Sequence, residues 1–149
     1  MTLQDSINIA GMGMDAQVQR IQVHAANMAN LHTPNYVRQI PVLNETAVMP
    51  FDQLLDKVRS QGPIDGLLAA TPEGVQMGGT VADRTPGKKL YMPDHPEADA
   101  DGYVTMSNTN ILADMSDATV ASRMYEANIA MMTILRTMAN KAVELGRGR

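Results

Sequence analysis

The sequence predicts a mainly α-helical protein, in which a long helix at each end of the chain pairs with the other as a coiled-coil-like hairpin around a small β-rich or irregular middle insertion. Three observations predict this class. Both ends carry apolar residues at alternating spacings of three and four, which lie on one helix face. The stretch between them is rich in turn residues and holds only short strand-like runs. The 13 methionines and the single phenylalanine suit helix contacts better than a sandwich core.

The N-terminal assembly helix is assigned to residues 1–32. The side chain of Asp5 or Ser6 can accept hydrogen bonds from the free amides of the first turn, so either can cap the helix. Gly11 and Gly13 each weaken the helix by roughly 1 kcal/mol relative to alanine, which leaves it in need of a partner. Pro34 lacks an amide proton and ends the helical segment. The predicted stripe comprises Ile7, Gly11, Met14, Val18, Ile21, Ala25 and Met28.

The middle insertion is assigned to residues 33–109. Its strand-like runs are bounded by glycine and proline, which is typical of short strands rather than of a second full domain. Pro41 restricts the first run to a sheet edge. Apolar residues at helical spacing predict a short helix near 51–61. The predicted strands are residues 36–43, 74–81, 88–92 and 103–106.

The C-terminal assembly helix is assigned to residues 110–149, with a start near 110–114 and an end near Leu145, where Gly146 can terminate it. Around residues 129–135 the helix is apolar on most of its circumference, so it needs cover that a chain of this size cannot supply, and neighbouring subunits could supply it. Its main stripe comprises Met115, Ala118, Ser122, Tyr125, Ile129, Met132, Ala139 and Val143. A second stripe comprises Met124, Met131, Leu135, Met138, Ala142 and Leu145.

Composition excludes several classes of protein. The net charge of −4 argues against a nucleic-acid module, which would show a clustered basic face. The absence of cysteine excludes disulfides and thiolate metal sites. No lysine or arginine precedes Arg20, so we expect no cleaved secretory signal and an export route that does not read one. The best apolar run, residues 129–135, is too short for a transmembrane helix, which needs about 20 residues.

No residue stands out as catalytic, cofactor-binding or metal-binding. His24, His32 and His95 are not spaced as a zinc pair, and we expect surface or capping roles for them. Residues 97–102 match the first half of a calcium loop, but position 12 of that loop is Asn108, which cannot supply a bidentate carboxylate. A solvated turn explains the segment more simply. Two alternatives stay open: a metal-dependent enzyme using the loop between His95 and Asp101, and a free-standing coiled-coil adaptor.

Three groups of residues resemble bacterial flagellar rod and hook proteins. Residues 9–17 (IAGMGMDAQ), followed by 27–30 (NMAN) and Thr33, are similar to the N-terminal signature of that family. Residues 91–104 (YMPDHPEADADGYV), followed by Asn108, resemble the central motif of its proximal-rod members. Residues 122–128 (SRMYEAN) resemble the C-terminal signature. The resemblance covers about 7–40 and 74–146, in the family's order.

The resemblance implies a structural subunit of the flagellar basal-body proximal rod, not an enzyme, with no cofactor. Such proteins are exported unfolded through the flagellar type III export apparatus, without a cleaved signal peptide, and assemble in the periplasmic part of the basal body. Their terminal helices polymerise helically, transmit torque and line the export channel. The implied partners are copies of itself, other rod proteins, and the rod-base ring and export-gate components. A distal-rod or hook-type subunit is the alternative within the family, since residues 32–36 (HTPNY) lean toward a sister protein and residues 44–73 are longer than usual.

The candidate assembly interface combines the stripes with polar residues inside them. Asn128 is expected to fix the pairing register by buried hydrogen bonds, and Asn27 is expected to contribute to the register as well. Asn30 is expected to contribute to register or to cap the first helix. Arg123 and Glu126 lie three residues apart and can form an ion pair. The apolar members are Ile7, Met14, Val18, Ile21, Met28, Tyr125, Ile129 and Met132.

Overall fold

A computed structural model describes residues 3–46, 55–56, 59 and 74–148. In chain order the elements are helix α1 (Leu3–Ala29), strands β1 (Gln39–Glu45), β2 (Val75–Ala82), β3 (Lys89–Tyr91) and β4 (Tyr103–Thr105), and helix α2 (Ile111–Arg147). The predicted class, mainly helical with a small strand-containing middle, is confirmed. The short helix predicted near 51–61 lies largely outside the described residues; of it, Leu55, Asp56 and Arg59 are described and are helical. Neither α1 nor α2 is long and apolar enough to cross a membrane.

Helix α1 includes both residues that were predicted to cap it. Asp5 and Ser6 lie in its first turn because the helix already includes Leu3, so the predicted cap was wrong. The helix ends at Ala29, and the amide of Asn30 still donates to the carbonyl of Ala26 at 3.1 Å. Pro34 follows as expected. Asn35 then takes a positive φ of 58°, and the chain turns towards β1.

Strands β1 and β2 form a two-stranded antiparallel sheet that packs on α1. The pairing runs from Gln39 opposite Ala82 to Glu45 opposite Val75. The register shifts after Val42, whose partner Gly79 has a φ of +112°, a conformation that glycine adopts without steric cost. On the helix side, Ala16 is fully buried and the side chain of Met12 lies against Gly74.

Strands β3 and β4 form a second antiparallel pair. Residues 92–102, which we call the acidic loop, connect the two strands. Tyr91 pairs with Tyr103, and their rings meet edge to face at 5.3 Å between centroids. Gly102 has a φ of +80°, and a Cβ there would lie 2.9 Å from the Tyr91 ring, so the turn requires glycine. The predicted strand positions in the described part of the insertion are thereby confirmed.

Helix α2 is 37 residues long, about 56 Å at 1.5 Å per residue. The side chain of Asn110 caps it by accepting hydrogen bonds from the amides of Leu112 (3.1 Å) and Ala113 (3.3 Å). The predicted terminator was wrong: the helix continues through Gly146 and is capped by Gly148, whose amide donates to the Glu144 carbonyl.

The two helices lie side by side and antiparallel. His24 near the end of α1 contacts Asp114 at the start of α2, and Gly13 lies against the side chain of Asn128 further along. The predicted pairing of the terminal helices is therefore observed, while its coiled-coil character stays a prediction. The line of contact is composed mainly of small and polar residues. The fully buried apolar residues of the described chain are three alanines, Ala10, Ala16 and Ala121, with Val104 from β4.

Candidate functional site

The contact line between the helices repeats every seven residues but is shifted from the predicted stripes. On α1 the buried and half-buried positions facing α2 are Ala10, Gly13, Gln17, Arg20, His24 and Asn27. On α2 they are Asp114, Ala118, Ala121, Tyr125, Asn128, Met132, Leu135 and Ala139. None of the α1 stripe positions lies in this contact line, whereas half of the main α2 stripe does, namely Ala118, Tyr125, Met132 and Ala139. The role of the stripes in assembly stays a prediction.

A buried polar cluster closes one end of this contact line. We name it the junction cluster and define it as His24, Asn27, Arg38, Asn108 and Asp114. It lies where the end of α1, the start of β1 and the first turn of α2 meet. His24, Asn27 and Asp114 are each at most 3% exposed. The expected surface or capping role for His24 was therefore wrong.

Asp114 is the centre of the junction cluster. Its Oδ1 lies 2.8 Å from His24 Nδ1 and accepts a hydrogen bond from Asn27 Nδ2 at 3.1 Å. Arg38 donates to both carboxylate oxygens, from Nε at 3.0 Å and from Nη2 at 3.2 Å. Burial raises the pKa of the Asp114 carboxyl, but the hydrogen bonds from Arg38, His24 and Asn27 outweigh it, so the pKa lies below its usual value. The carboxylate is charged and joins three segments.

Asn27 uses both ends of its amide. Its Nδ2 donates to the Gln39 carbonyl at 2.7 Å as well as to Asp114. Its Oδ1 accepts from the Gln39 amide at 2.9 Å and from the Tyr36 hydroxyl at 3.0 Å. Asn27 thus pairs with the main chain at the first residue of β1 and sets where that strand starts. This position agrees with the register role that the sequence predicted, which stays a prediction.

Asn108 holds the other side of Arg38. Its Oδ1 accepts from the Arg38 amide at 2.7 Å, and its Nδ2 donates to the carbonyls of Asp83 and Thr85. Hydrogen bonds from the Thr85 hydroxyl and amide lower the pKa of Asp83, whose carboxylate lies 3.9 Å from Arg38. The guanidinium of Arg38 therefore sits among Asp83, Asp114 and Asp117, and this environment raises its pKa.

The predicted apolar assembly residues of α1 lie on an outer face of the helix pair. At about 100° per residue, the α1 stripe is turned by about a quarter of a circle from the contact line with α2. Because the helices are antiparallel, Met115, Ser122 and Ile129 of α2 face the same side. We call this surface the front face. Its members are Ile7, Gly11, Met14, Val18, Ile21, Ala25, Met28, Met115, Ser122 and Ile129, all half-buried or exposed.

The opposite side of the pair carries a second apolar surface, on α2 alone. We call it the rear stripe and define it as Val120, Met124, Ala127, Met131, Ile134, Met138 and Leu145, which follow spacings of three and four with Lys141 at one position. Every member is exposed, from 45% at Val120 to 81% at Leu145. Leu135, which the sequence placed in the second stripe, is half-buried in the contact line instead.

The remaining predicted site residues divide between the contact line and the surface. Tyr125, Asn128 and Met132 lie in the contact line and are half-buried. Asn30 serves as a local cap: its Nδ2 donates to the Ala26 carbonyl at 2.9 Å, and its Oδ1 accepts from Thr33. Arg123 and Glu126 are both exposed, and no ion pair joins them, so that expected pair is not formed.

The acidic loop between β3 and β4 forms a hydrogen-bonded turn. Asp99 Oδ1 accepts from the amides of Asp101 (3.1 Å) and Tyr103 (2.8 Å), and His95 Nδ1 accepts from the Glu97 amide (3.1 Å). Across the part of the chain that the structure describes, no group of three or more His, Cys, Asp or Glu side chains is placed to hold a metal ion. The calcium-like spacing in the sequence reflects the turn.

The sequence analysis missed Arg38 and Asp114. Two signals could have drawn attention to them. Asp114 is the acidic residue in the first turn of α2, four residues after the cap Asn110. His24 and Asn27 are polar residues three apart in a helix that otherwise needs apolar contacts. Neither signal identifies Arg38 as the cation, because Arg38 is separated from Asp114 by 76 residues.

Comparison with known proteins gives consistent matches over the whole chain. Residues 100–145 match the family model described as flagellar basal body rod FlgEFG protein C-terminal. Proteins named flagellar basal-body rod protein FlgC are similar along nearly the full length. That of Salmonella typhimurium (strain LT2) is 31% identical, that of Borreliella burgdorferi 32% and that of Escherichia coli O157:H7 29%. Each match covers 99% of this chain and 100% of the relative.

Proposed function

This chain belongs to the FlgC family of flagellar basal-body rod proteins, and from that premise we propose that it is a subunit of the proximal rod that polymerises helically through its terminal helices. Its function is structural, in keeping with relatives that are named flagellar basal-body rod proteins. In the assembled rod it transmits torque and contributes to the lining of the export channel. We expect no catalytic activity, cofactor or metal.

The observation that carries this proposal is the distribution of apolar surface on the two helices. The contact line within one copy uses mostly alanine, glycine and polar residues, with Tyr125, Met132 and Leu135 half-buried in it, while many large aliphatic side chains are exposed. Met115 is 60% exposed and Ile134 is 60% exposed, although a free helix face of this kind is costly in water. Contacts with neighbouring subunits would bury both the front face and the rear stripe.

Each segment of the chain has its own proposed role. Residues 1–32 and 110–149 act as N- and C-terminal assembly helices, and residues 33–109 supply outer contacts. The partners are copies of the chain, other rod proteins, and ring and export-gate components at the rod base. The chain is exported through the flagellar type III apparatus and resides in the periplasmic part of the basal body.

The substitution Ile129→Asp tests the proposal. Ile129 lies on the front face and is 43% exposed, so a charge there leaves the folded chain almost unaffected but opposes burial against a neighbour. We expect the variant to be exported at the wild-type level but to be absent from isolated basal bodies, with loss of swimming. The measurement is motility in soft agar together with immunoblots of exported and basal-body fractions.

Thr119→Asp is the matched control, because Thr119 is exposed on α2 outside both apolar surfaces. It introduces the same charge and should preserve swimming. Normal rods and motility in the Ile129→Asp strain would contradict assembly through the front face. A wild-type chain that fails to restore swimming to a strain lacking its own copy would contradict the proposed function altogether.

A further inference from the structure

We propose that the rear stripe of one copy packs against the front face of a second copy of the same chain, so that identical subunits associate face to back. This inference rests on the proposed function and deepens it by naming the two surfaces that meet and the occupant of each. It follows from the direction, the length and the size of two apolar surfaces, of which the rear stripe is exposed and the front face is partly exposed.

The first step concerns direction. The rear stripe is turned from the contact line by about 110° and the α1 stripe by about 100°. Because α1 and α2 run antiparallel, these two rotations bring the surfaces to opposite sides of the helix pair. A contact between opposite sides is heterologous: it leaves a free surface on each copy, and it continues as an open helix unless the rotation closes a ring.

The second step concerns pattern and length. The rear stripe spans residues 120–145, about 39 Å, and the α1 part of the front face spans residues 7–28, about 33 Å. Both follow alternating spacings of three and four, the pattern by which side chains of one helix fit between those of another. Methionine is prominent on both surfaces, and its unbranched side chain adapts to such contacts.

The third step concerns the size of the contact. A stripe about 10 Å wide and about 35 Å long buries roughly 350 Å² on each copy. A stable pairwise interface buries about 800 Å² on each partner. One rear-to-front contact is therefore too small to hold a dimer in dilute solution, and it becomes effective only when each copy makes two such contacts in a polymer. The same geometry therefore predicts that the free chain is monomeric in dilute solution and that its assembly is cooperative.

Cross-linking of single-cysteine variants tests the contact directly, since the natural chain has no cysteine. Met131→Cys would be mixed in turn with Ile7→Cys, Met14→Cys and Ile21→Cys, and bridged with a short bis-maleimide at high protein concentration. We expect covalent dimers from at least one of these mixtures. Thr137→Cys, exposed on α2 but outside the rear stripe, replaces Met131→Cys as the control and should give at least about tenfold fewer dimers.

Sedimentation of Ile134→Asp and Thr137→Asp, at protein concentrations raised until the wild-type chain self-associates, gives a second readout; a wild type that stays monomeric at every accessible concentration also overturns the inference. We expect Ile134→Asp to weaken self-association by at least about tenfold while its circular dichroism spectrum matches that of the wild type, and Thr137→Asp to associate normally. Dimers that form equally with Thr137→Cys, or an Ile134→Asp chain that associates like the wild type, overturn the inference. The proposed function is tested separately by whether the wild-type chain restores swimming to a strain lacking its own copy. If it does while the contact tests fail, only the rear-to-front contact is overturned.

Discussion

The carboxylate of Asp114 accepts hydrogen bonds from three side chains that belong to two other segments of the chain. His24 and Asn27 approach from the end of α1, and Arg38 approaches from the residue before β1. A buried carboxylate is costly unless its charge and its lone pairs are matched. Here Arg38 supplies the opposite charge, and Arg38, His24 and Asn27 supply hydrogen-bond donors to both carboxylate oxygens. These contacts favour one arrangement of the side chains. At the residue scale, polar groups therefore orient the helices, while apolar groups are left for other contacts.

Replacing Asp114 with asparagine should destabilise the chain. The substitution keeps the shape but leaves the half-buried Arg38 guanidinium without its closest anion and removes charge-assisted hydrogen bonds, which costs about 2 kcal/mol. Denaturant unfolding followed by circular dichroism measures the change. Asp101→Asn, at an exposed position of the acidic loop, is the control and should change the free energy of unfolding by less than about 0.5 kcal/mol. Equal stability of the two variants would contradict the role of the junction cluster.

The same carboxylate predicts a pH dependence. The pKa of Asp114 is lowered in the folded chain, so its stabilising contribution is fully present above the unfolded pKa of about 3.9 and is lost as the pH falls through the folded pKa. We expect the difference in unfolding free energy between wild type and Asp114→Asn to be constant above about pH 5 and to shrink in more acidic solution. Denaturant titrations at a series of pH values measure it. A difference that stays unchanged at pH 2 argues against a lowered pKa.

At the scale of elements, α1 illustrates how little space separates the helices. A Cβ at Gly13 would lie 2.9 Å from Asn128 Nδ2, whereas a Cβ at Gly11 would meet nothing within 4 Å. Two glycines that look equivalent in the sequence therefore have different roles. Gly13 permits close approach to α2, while Gly11 lies on the front face. This difference in position also explains why the line of contact is shifted by one residue from the apolar stripe of α1.

Leucine at each of these glycines gives opposite expectations. Gly13→Leu gains the same helix propensity as Gly11→Leu, but its side chain must displace the Asn128 side chain and crowd the contact with α2, so we expect a net destabilisation of about 1 kcal/mol. Gly11→Leu meets open space and gains helix propensity, so it should stabilise the chain by up to about 1 kcal/mol. Thermal unfolding in dilute solution measures both effects. Similar shifts for the two variants would argue against the antiparallel contact described here.

At the scale of the whole molecule, the described chain has very little apolar interior. Its fully buried apolar side chains are small, and the largest of them is Val104. Alanine burial contributes little because the hydrophobic effect scales with the area removed from water. The junction cluster can set geometry without adding much net stability. A subunit of this kind suits assembly, because most of its stabilising surface is still available to neighbours.

The isolated chain should accordingly be only marginally stable. We expect a free energy of unfolding below about 5 kcal/mol in dilute solution, at or under the lower end of the usual range. Assembly binds only the folded form, so the thermal midpoint should rise with protein concentration. Calorimetry over a hundredfold range of concentration measures this. A midpoint that is high and independent of concentration would indicate a self-sufficient fold.

The two terminal helices and the four strands were predictable from the sequence, because periodicity and turn residues are local properties of the chain. The excess of apolar surface was predictable as well, since the number of apolar stripes on a helix can be read from its sequence without knowing what the helix packs against. The predicted start of α1 and the predicted end of α2 were less accurate. The position of a cap depends on only a few hydrogen bonds, and a glycine such as Gly146 is compatible with a continuing helix as well as with the end of one.

Only the tertiary structure decided which stripe of each helix faces the other. The sequence by itself determined that apolar residues exceed what one chain can bury, but a helix with several apolar sides leaves the choice of inner side open. That choice was made by Asp114, His24 and Asn27, whose buried hydrogen bonds join residues about ninety positions apart. A buried carboxylate requires hydrogen-bond donors in particular directions, whereas methionine and isoleucine side chains pack without such a requirement. The faces that carry the polar residues therefore lie between the helices, and the apolar faces remain available for contacts with neighbours.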